Sequence, residues 1–305
     1  MFRESTQPIL KLIYFIFFTI FVRPLSYLPL TFLYVLSDGF YYILRYFLRY
    51  RIVVIEKNLT NAFPTYSTVE RKKIIKDYYH FLADVMAENV KGLTISDREI
   101  DQRMHYEGLE LLSRYKDENR NVTLLTGHSC NFEWMLMTIN KFLPQPVYSF
   151  YVEIGNPYFR KLILNNRTRN GLQLLQAKDA SAFYKDASIQ NFANIFASDQ
   201  SPSNPDKALW TKFLHQHTAF VMGADKYSRQ KNCAVVYMAM KRIDRGSYSV
   251  TFQELCSDIQ TINSTELLNA YVNALENTII EQPACWLWSH NRWKHQPKIK
   301  VKEAD

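Results

Sequence analysis

From about residue 105 the chain alternates short apolar runs with stretches of helical periodicity, and this alternation narrows the fold more than any other feature. NVTLLTGH (121–128), PVYSFYV (146–152), LQLLQ (172–176), NFANIFASD (191–199) and CAVVYMAM (233–240) are short, mostly uncharged runs of strand length. Between them lie NFEWMLMTINKF (131–142), NPYFRKLILNNRTRNG (156–171) with Pro157 early and Gly171 at its end, and helical stretches near 179–190 and 219–231. SYSVTFQEL (247–255) alternates strictly as a strand does, and a helix follows over 264–281. Upstream, 67–92 reads as a helix capped by Ser67 or Thr68 and stopped at Gly92. Apolar strands separated by helices predict an α/β fold: a mostly parallel central sheet flanked by helices on both faces. Sites in such sheets form at the carboxyl ends of the strands.

The N-terminal fifty residues have a different character. Residues 12–22 read LIYFIFFTIFV, Arg23-Pro24 interrupts, and 25–36 (LSYLPLTFLYVL) and 40–48 (FYYILRYFL) resume the apolar pattern. A spanning helix needs roughly 20 apolar residues. The first segment reaches that length only by enclosing Lys11, so it either spans with Lys11 snorkelling or lies in the plane of the interface. A cleaved signal peptide fits less well, because Arg3 is offset by Glu4 and no A-x-A-like site follows. Arg45, Arg49, Arg51 and Lys57 then stand beside Tyr41, Tyr42, Tyr46 and Tyr50, the mixture a cytoplasmic membrane interface selects. The bland alternative is a buried core helix with a solvated edge. The net charge of +8 and the 20 Tyr and 20 Phe gather partly here, and no helix-turn-helix, zinc-finger or RRM signature accompanies them, so nucleic acid is a poor fit. The expected division is a helical membrane anchor over 1–50 and a catalytic domain over 51–305. Cys130, Cys233, Cys256 and Cys285 form no CxxC pair and read as reduced thiols.

The most informative stretch is Thr126-Gly127-His128-Ser129-Cys130-Asn131-Phe132-Glu133-Trp134. A buried strand ends at a glycine turn, His128 emerges at the mouth of the sheet, and Glu133 falls in the first turn of the next helix. A carboxylate folded back onto the imidazole would fix its tautomer and leave the other nitrogen as a general base. Zinc binding lacks the HExxH spacing, and Ser129 or Cys130 as nucleophile lacks the G-x-S-x-G elbow. The residues alone also allow a structural histidine followed by a capping glutamate. Arg167 and Arg169 lie at a helix end, either complementing its dipole or forming a fork for phosphate. Asp199 ends a strand; Asn131 and Trp134 either shape a pocket or pack. In the tail, Arg292, Lys294, Lys298 and Lys300 offer charge to lipid phosphate or an acidic protein, or are simply an exposed basic end.

Taken in order, these residues resemble the bacterial lipid A biosynthesis (lauroyl/myristoyl) acyltransferase family, within the HX4D/E glycerolipid-type acyltransferases. The likeness runs from Arg51 and Asn58-Leu59 through Phe63-Pro64, His128-SCNF-Glu133, Asn156-Pro157, Asp199-Gln200 and the Arg245-Gly246-x-Tyr248 turn to the ending Trp286-Leu-Trp-Ser-His290-Asn-Arg292-Trp293-Lys294. It implies a glycerolipid-acyltransferase-like fold and direct acyl transfer from a thioester of acyl carrier protein or CoA to a hydroxyl of a lipid A precursor. It further implies no permanently bound cofactor or metal, and a site on the cytoplasmic face of the inner membrane. Residue by residue, it implies His128 as general base oriented by Glu133, with Asn131, Arg167, Arg169 and Asp199 toward substrate and Arg169 paired with Asp199. Backbone N–H groups around Ser129 to Asn131 are candidates for the oxyanion. Other readings remain: a different glycolipid, an aminolipid or a lysophospholipid as acceptor, a thioesterase, or a non-catalytic lipid-binding homologue.

Overall fold

The computed structural model describes residues 8–152 and 155–297; Arg3, Glu4, Lys298 and Lys300 lie outside the described residues. The strands are β1 (Met104–Glu107), β2 (Val122–Thr126), β3 (Val147–Tyr151), β4 (Gln173–Gln176), β5 (Ala193–Ala197), β6 (Leu209–Phe213), β7 (Gln216–Phe220), β8 (Ala234–Asp244) and β9 (Ser247–Cys256). The helices are α1 (Pro8–Phe17), α2 (Leu30–Tyr42), α3 (Ile52–Ala62), α4 (Thr68–Lys91), α5 (Asp97–Asp101), α6 (Leu109–Asp117), α7 (Phe132–Phe142), α8 (Pro157–Thr168), α9 (Ala180–Lys185), α10 (Gly223–Gln230) and α11 (Ser264–Glu281). Seven strands form one sheet in the order β1-β9-β8-β2-β5-β3-β4. Every neighbouring pair is parallel except β8 with β9, which are antiparallel. The α/β expectation holds, and the single antiparallel pair is why the sheet is mostly rather than wholly parallel.

Strand β2 explains the layering. All five of its residues are buried. Leu125 packs with Tyr271, Leu275 and Trp286 on one face, while Val122 and Leu124 pack with Trp134, Met135 and Ile139 on the other. Alternate side chains thus enter two cores, which is how an uninterrupted apolar run reads when both faces of a sheet are covered. Helix α4 begins at a capping box in which Ser67 and Glu70 satisfy each other's backbone N–H, as the serine at that position predicts.

One expectation shifts, and one element is added. The stretch near 219–231 is divided between the end of β7 and α10, and β6 and β7 form a separate antiparallel hairpin. Its turn is Leu214-His215, with φ of 45° and 64°. Asparagine and glycine ordinarily mark such a turn, so the hairpin carries no visible signal.

The N-terminal segment joins the fold unevenly. Ile9–Tyr27 is a continuous helical stretch long and apolar enough to cross a membrane, and almost none of it is covered by the rest of the protein. Phe15 stacks on Tyr158 at 5.0 Å between ring centroids, and Lys11 Nζ donates to the Gly155 carbonyl at 2.9 Å. In contrast, Leu30, Leu33, Tyr34, Tyr41 and Leu44 are buried within the two cores.

Gly246, in the β8–β9 turn, has φ of 71°, and a Cβ there would stand 2.0 Å from the Tyr34 hydroxyl. Both the conformation and the space call for glycine. Gly246→Ala is expected to destabilise the protein by about 1 kcal/mol or more, read as a lower melting temperature in detergent; an unchanged melt would show that α2 does not press on this turn.

Candidate active site

Strands β2 and β5 are parallel neighbours, with Thr126 opposite Ala197. Two residues beyond each of these stand His128 and Asp199, so the register alone brings them together at the carboxyl ends of the strands. His128 Nδ1 lies 2.6 Å from Asp199 Oδ1, and the His128 backbone N–H donates to Asp199 Oδ2 at 2.7 Å. Trp286 Nε1–H donates to the same Oδ2 at 2.8 Å. The Asp199 side chain is 2% exposed, while that of His128 is 25% exposed. Gly127, between strand and histidine, is closely packed: a Cβ would fall 2.6 Å from Leu275 Cδ1, at the end of a side chain that can shift, and 3.2 Å from Asp199 Oδ2.

The carboxylate on the imidazole is therefore Asp199, and the expectation that Glu133 orients His128 is corrected. Glu133 instead receives Arg167 in a two-point pair, Nε to Oε2 at 2.8 Å and Nη2 to Oε1 at 2.5 Å. Both charges still act on His128 through space, Glu133 raising its pKa and Arg167 lowering it. Arg169 does not reach Asp199; it pairs with Asp97 of α5 at 3.1 Å. Asn131 is fully buried. Its side-chain oxygen caps α7 by accepting from the Trp134 N–H, and its amide donates to Glu88 Oε2, so neither end is offered to a substrate. Arg292 is also buried rather than part of an exposed basic end, donating to the Ala219 carbonyl and lying 4.4 Å over the Phe220 ring. Burial pushes its pKa down to about 10.

Burial alone would pull His128 toward the neutral form, but the charge and hydrogen bond of Asp199 outweigh it, and the ring titrates above its ordinary value of 6.5. Burial likewise opposes ionisation of Asp199, yet His128 and the Trp286 indole hold its pKa down at about 2. With Nδ1–H given to Asp199, Nε2 is the free base. Gln200 Nε2 stands 3.2 Å from it. The Gln200 amide thus faces the nitrogen that Asp199 leaves without a proton.

The loop after β5 is fastened by the tail. His290 Nε2 accepts from the Ser201 N–H at 3.1 Å. The tail is held in turn by Asn58, whose amide donates to the Trp288 and His290 carbonyls at 2.9 and 3.0 Å, and by Arg51, which donates to the Ser289 carbonyl. Trp286, Gln200 and His290 were not assigned roles from sequence. Their signal was present in the W-x-W-x-H ending and the Asp-Gln pair, but spacing along the chain could not connect them. Beside the Glu133–Arg167 pair, a cavity of about 210 Å³ opens among Leu93, Trp134, Met137 and Ile163.

Asp199→Asn is expected to lower the His128 pKa, shifting the alkaline rise of activity to lower pH, while kcat falls because the tautomer is no longer enforced. An NMR titration of the His128 ring alongside the pH–rate profile tests this; an unmoved pKa would remove Asp199 from its role.

Comparison with known proteins gives a consistent result. The model of the family described as bacterial lipid A biosynthesis acyltransferase matches residues 3–295. The lipid A biosynthesis palmitoleoyltransferase of Escherichia coli (strain K12) is 24% identical over 255 residues, covering 83% of this chain and 82% of the relative. The lipid A biosynthesis lauroyltransferase of the same organism is 22% identical over 274 residues, covering 89% and 88%. A lipid A biosynthesis acyltransferase of Haemophilus influenzae is 20% identical over 254 residues, covering 82% and 80%.

Proposed function

This chain belongs to the bacterial lipid A biosynthesis acyltransferase family, and on that premise we propose that it moves a fatty acyl chain from an acyl thioester, on acyl carrier protein or CoA, to a hydroxyl of a lipid A precursor. The observation that carries the mechanism is the buried Asp199 on His128 Nδ1, with Nε2 turned to the carboxyl end of the sheet. An alcohol is a poor nucleophile near neutral pH. His128 Nε2 takes its proton as the oxygen attacks the thioester carbonyl, and Asp199 stabilises the imidazolium that forms. Collapse of the tetrahedral intermediate expels the thiolate, which recovers the proton from His128. No acyl-enzyme is required.

The oxyanion needs donors already in place. The His128 N–H is taken by Asp199, that of Cys130 by the Cys285 carbonyl, and Asn131 is fully buried, which leaves the Ser129 N–H, just ahead of α7, as the donor of choice. The Glu133–Arg167 pair forms a wall of the site rather than part of the proton path. Both arginines are already paired, Arg167 with Glu133 and Arg169 with Asp97, so an anionic substrate group would have to share or displace a carboxylate to meet either.

The exposed apolar stretch Ile9–Tyr27 supports attachment to the inner membrane, with Arg45, Arg49 and Lys57 meeting anionic headgroups on the cytoplasmic side. In this reading residues 1–50 form the anchoring segment and 51–305 the catalytic domain, with α2 shared between the two.

His128→Ala is expected to lower transfer by about 10² to 10⁴, measured with an acyl-carrier thioester and a lipid A precursor. Mass spectrometry of lipid A from cells lacking the protein should show the loss of one secondary acyl chain. Full transfer by the alanine variant would sink the mechanism, and an unaltered lipid A would move the activity to another glycolipid, an aminolipid or a lysophospholipid.

A further inference from the structure

Glu88 lies in α4, outside every motif considered above, and is fully buried. Its carboxylate is surrounded by neutral donors: Tyr34 of α2 at 2.9 Å on Oε1, and Asn131 at 2.7 Å and Tyr248 of β9 at 2.6 Å on Oε2. Its backbone carbonyl accepts from the Trp134 indole at 3.1 Å. A carboxylate in so dry a place persists only where its lone pairs are engaged. Replacing it by an apolar group would leave three donors without an acceptor. Burial pushes its pKa up, and the three hydrogen bonds pull against that rise.

Two of the four contacts go to the first residues of the catalytic helix. Asn131 is the cap of α7, Trp134 lies in its first turn, and Phe132 between them packs on the His128 ring at 5.0 Å between centroids. We propose that Glu88 is a positioning residue for acyl transfer: it fixes the start of α7, and so the orientation of His128, and through Tyr34 it ties that turn to the N-terminal helical segment. Glu88 touches no reacting atom in this scheme; it acts through Asn131, Trp134 and Phe132. The proposal rests on His128 being the base, but assigns a function to residues that the proton path does not use.

The test uses the full-length protein in detergent micelles or vesicles, with an acyl-carrier thioester and a lipid A precursor. Glu88→Gln keeps the shape and one acceptor oxygen but turns an amide donor toward donors. Tyr34→Phe deletes one hydroxyl on a helix that does not carry the base. The expected result is a kcat reduced about tenfold or more in Glu88→Gln and by less in Tyr34→Phe, since small displacements of a base cost much in rate. KM and the pH of the His128 limb should stay where they are, because Asp199 is untouched. The double variant Glu88→Gln/Asn131→Ala should be no slower than the worse single one, as both act through one contact. If kcat per folded molecule is unchanged in both Glu88→Gln and Tyr34→Phe while only the melting temperature falls, Glu88 is structural and the proposal is overturned. Should Glu88→Gln fail to fold, Tyr34→Phe and Tyr248→Phe decide by the same measure. A wild-type protein that transfers nothing to any acceptor would instead fail the functional reading itself.

Discussion

The site depends on one buried charge. Asp199 is 2% exposed, and an ionised carboxylate so placed is tolerable only when its oxygens are fully engaged. One oxygen takes the imidazole; the other takes the His128 N–H and the Trp286 indole. Those three donors come from the end of β2 and from the C-terminal tail, while the acceptor comes from the end of β5. The tail holds its place through Asn58 and Arg51 near the start of the chain. Sheet register and an ordered tail are thus both conditions for the same ion, and failure of either exposes or orphans it.

This arrangement sets the pH range in which the pair supports the fold. Asp199 is depressed from 3.8 to about 2, so its contribution is complete above its unfolded value and disappears as the pH falls toward 2. His128 is raised above 6.5, so its contribution is complete below that value and disappears as the pH climbs through the folded value. The ion pair is therefore at full strength on the acid side of neutrality. The neutral imidazole forms only above that folded value, where the pair contributes less. On the proposed mechanism, in which the neutral ring is the base, stability and activity favour opposite sides of the same titration.

What was legible in the sequence is what short-range pattern controls. The run NVTLLT, the turn at Gly127 and the helix from Phe132 all follow from local periodicity and punctuation, and they placed His128 correctly at the mouth of a sheet. The partner of His128 was misread because Glu133 is near in sequence, whereas Asp199 is adjacent only through the pairing of two parallel strands 71 residues apart. Strand order and register are properties of the assembled sheet. Asn131 stays open between pocket and packing for a related reason: asparagine before a helix fits a cap as well as a pocket, and only the burial of both its ends favours packing. Arg292 reads as exposed charge along the chain because a one-dimensional pattern does not show Phe213 and Phe220 closing over it. The hairpin at Leu214-His215 had no turn residues to announce it.

The attachment of α2 bears on how the N-terminal segment is held to the sheet. Were α2 at the bilayer surface, apolar burial alone would hold it weakly in one position, because lipid tails offer leucine nearly the same environment as protein does. Polar contacts discriminate where apolar ones do not. Ser37 donates to Asp84 of α4 at 2.7 Å, Arg245 bridges Asp84 and Asp38 at 2.6 Å each, and Arg242 reaches Asp84 at 2.7 Å. Tyr34 adds the bond to Glu88 and fills the space above Gly246. All of these contacts converge on one face of α4 and on the β8–β9 turn, and each has a fixed direction. A helix held in this way cannot slide or rotate without stranding buried charge. These polar contacts thereby fix α2 in position and direction against α4 and the β8–β9 turn.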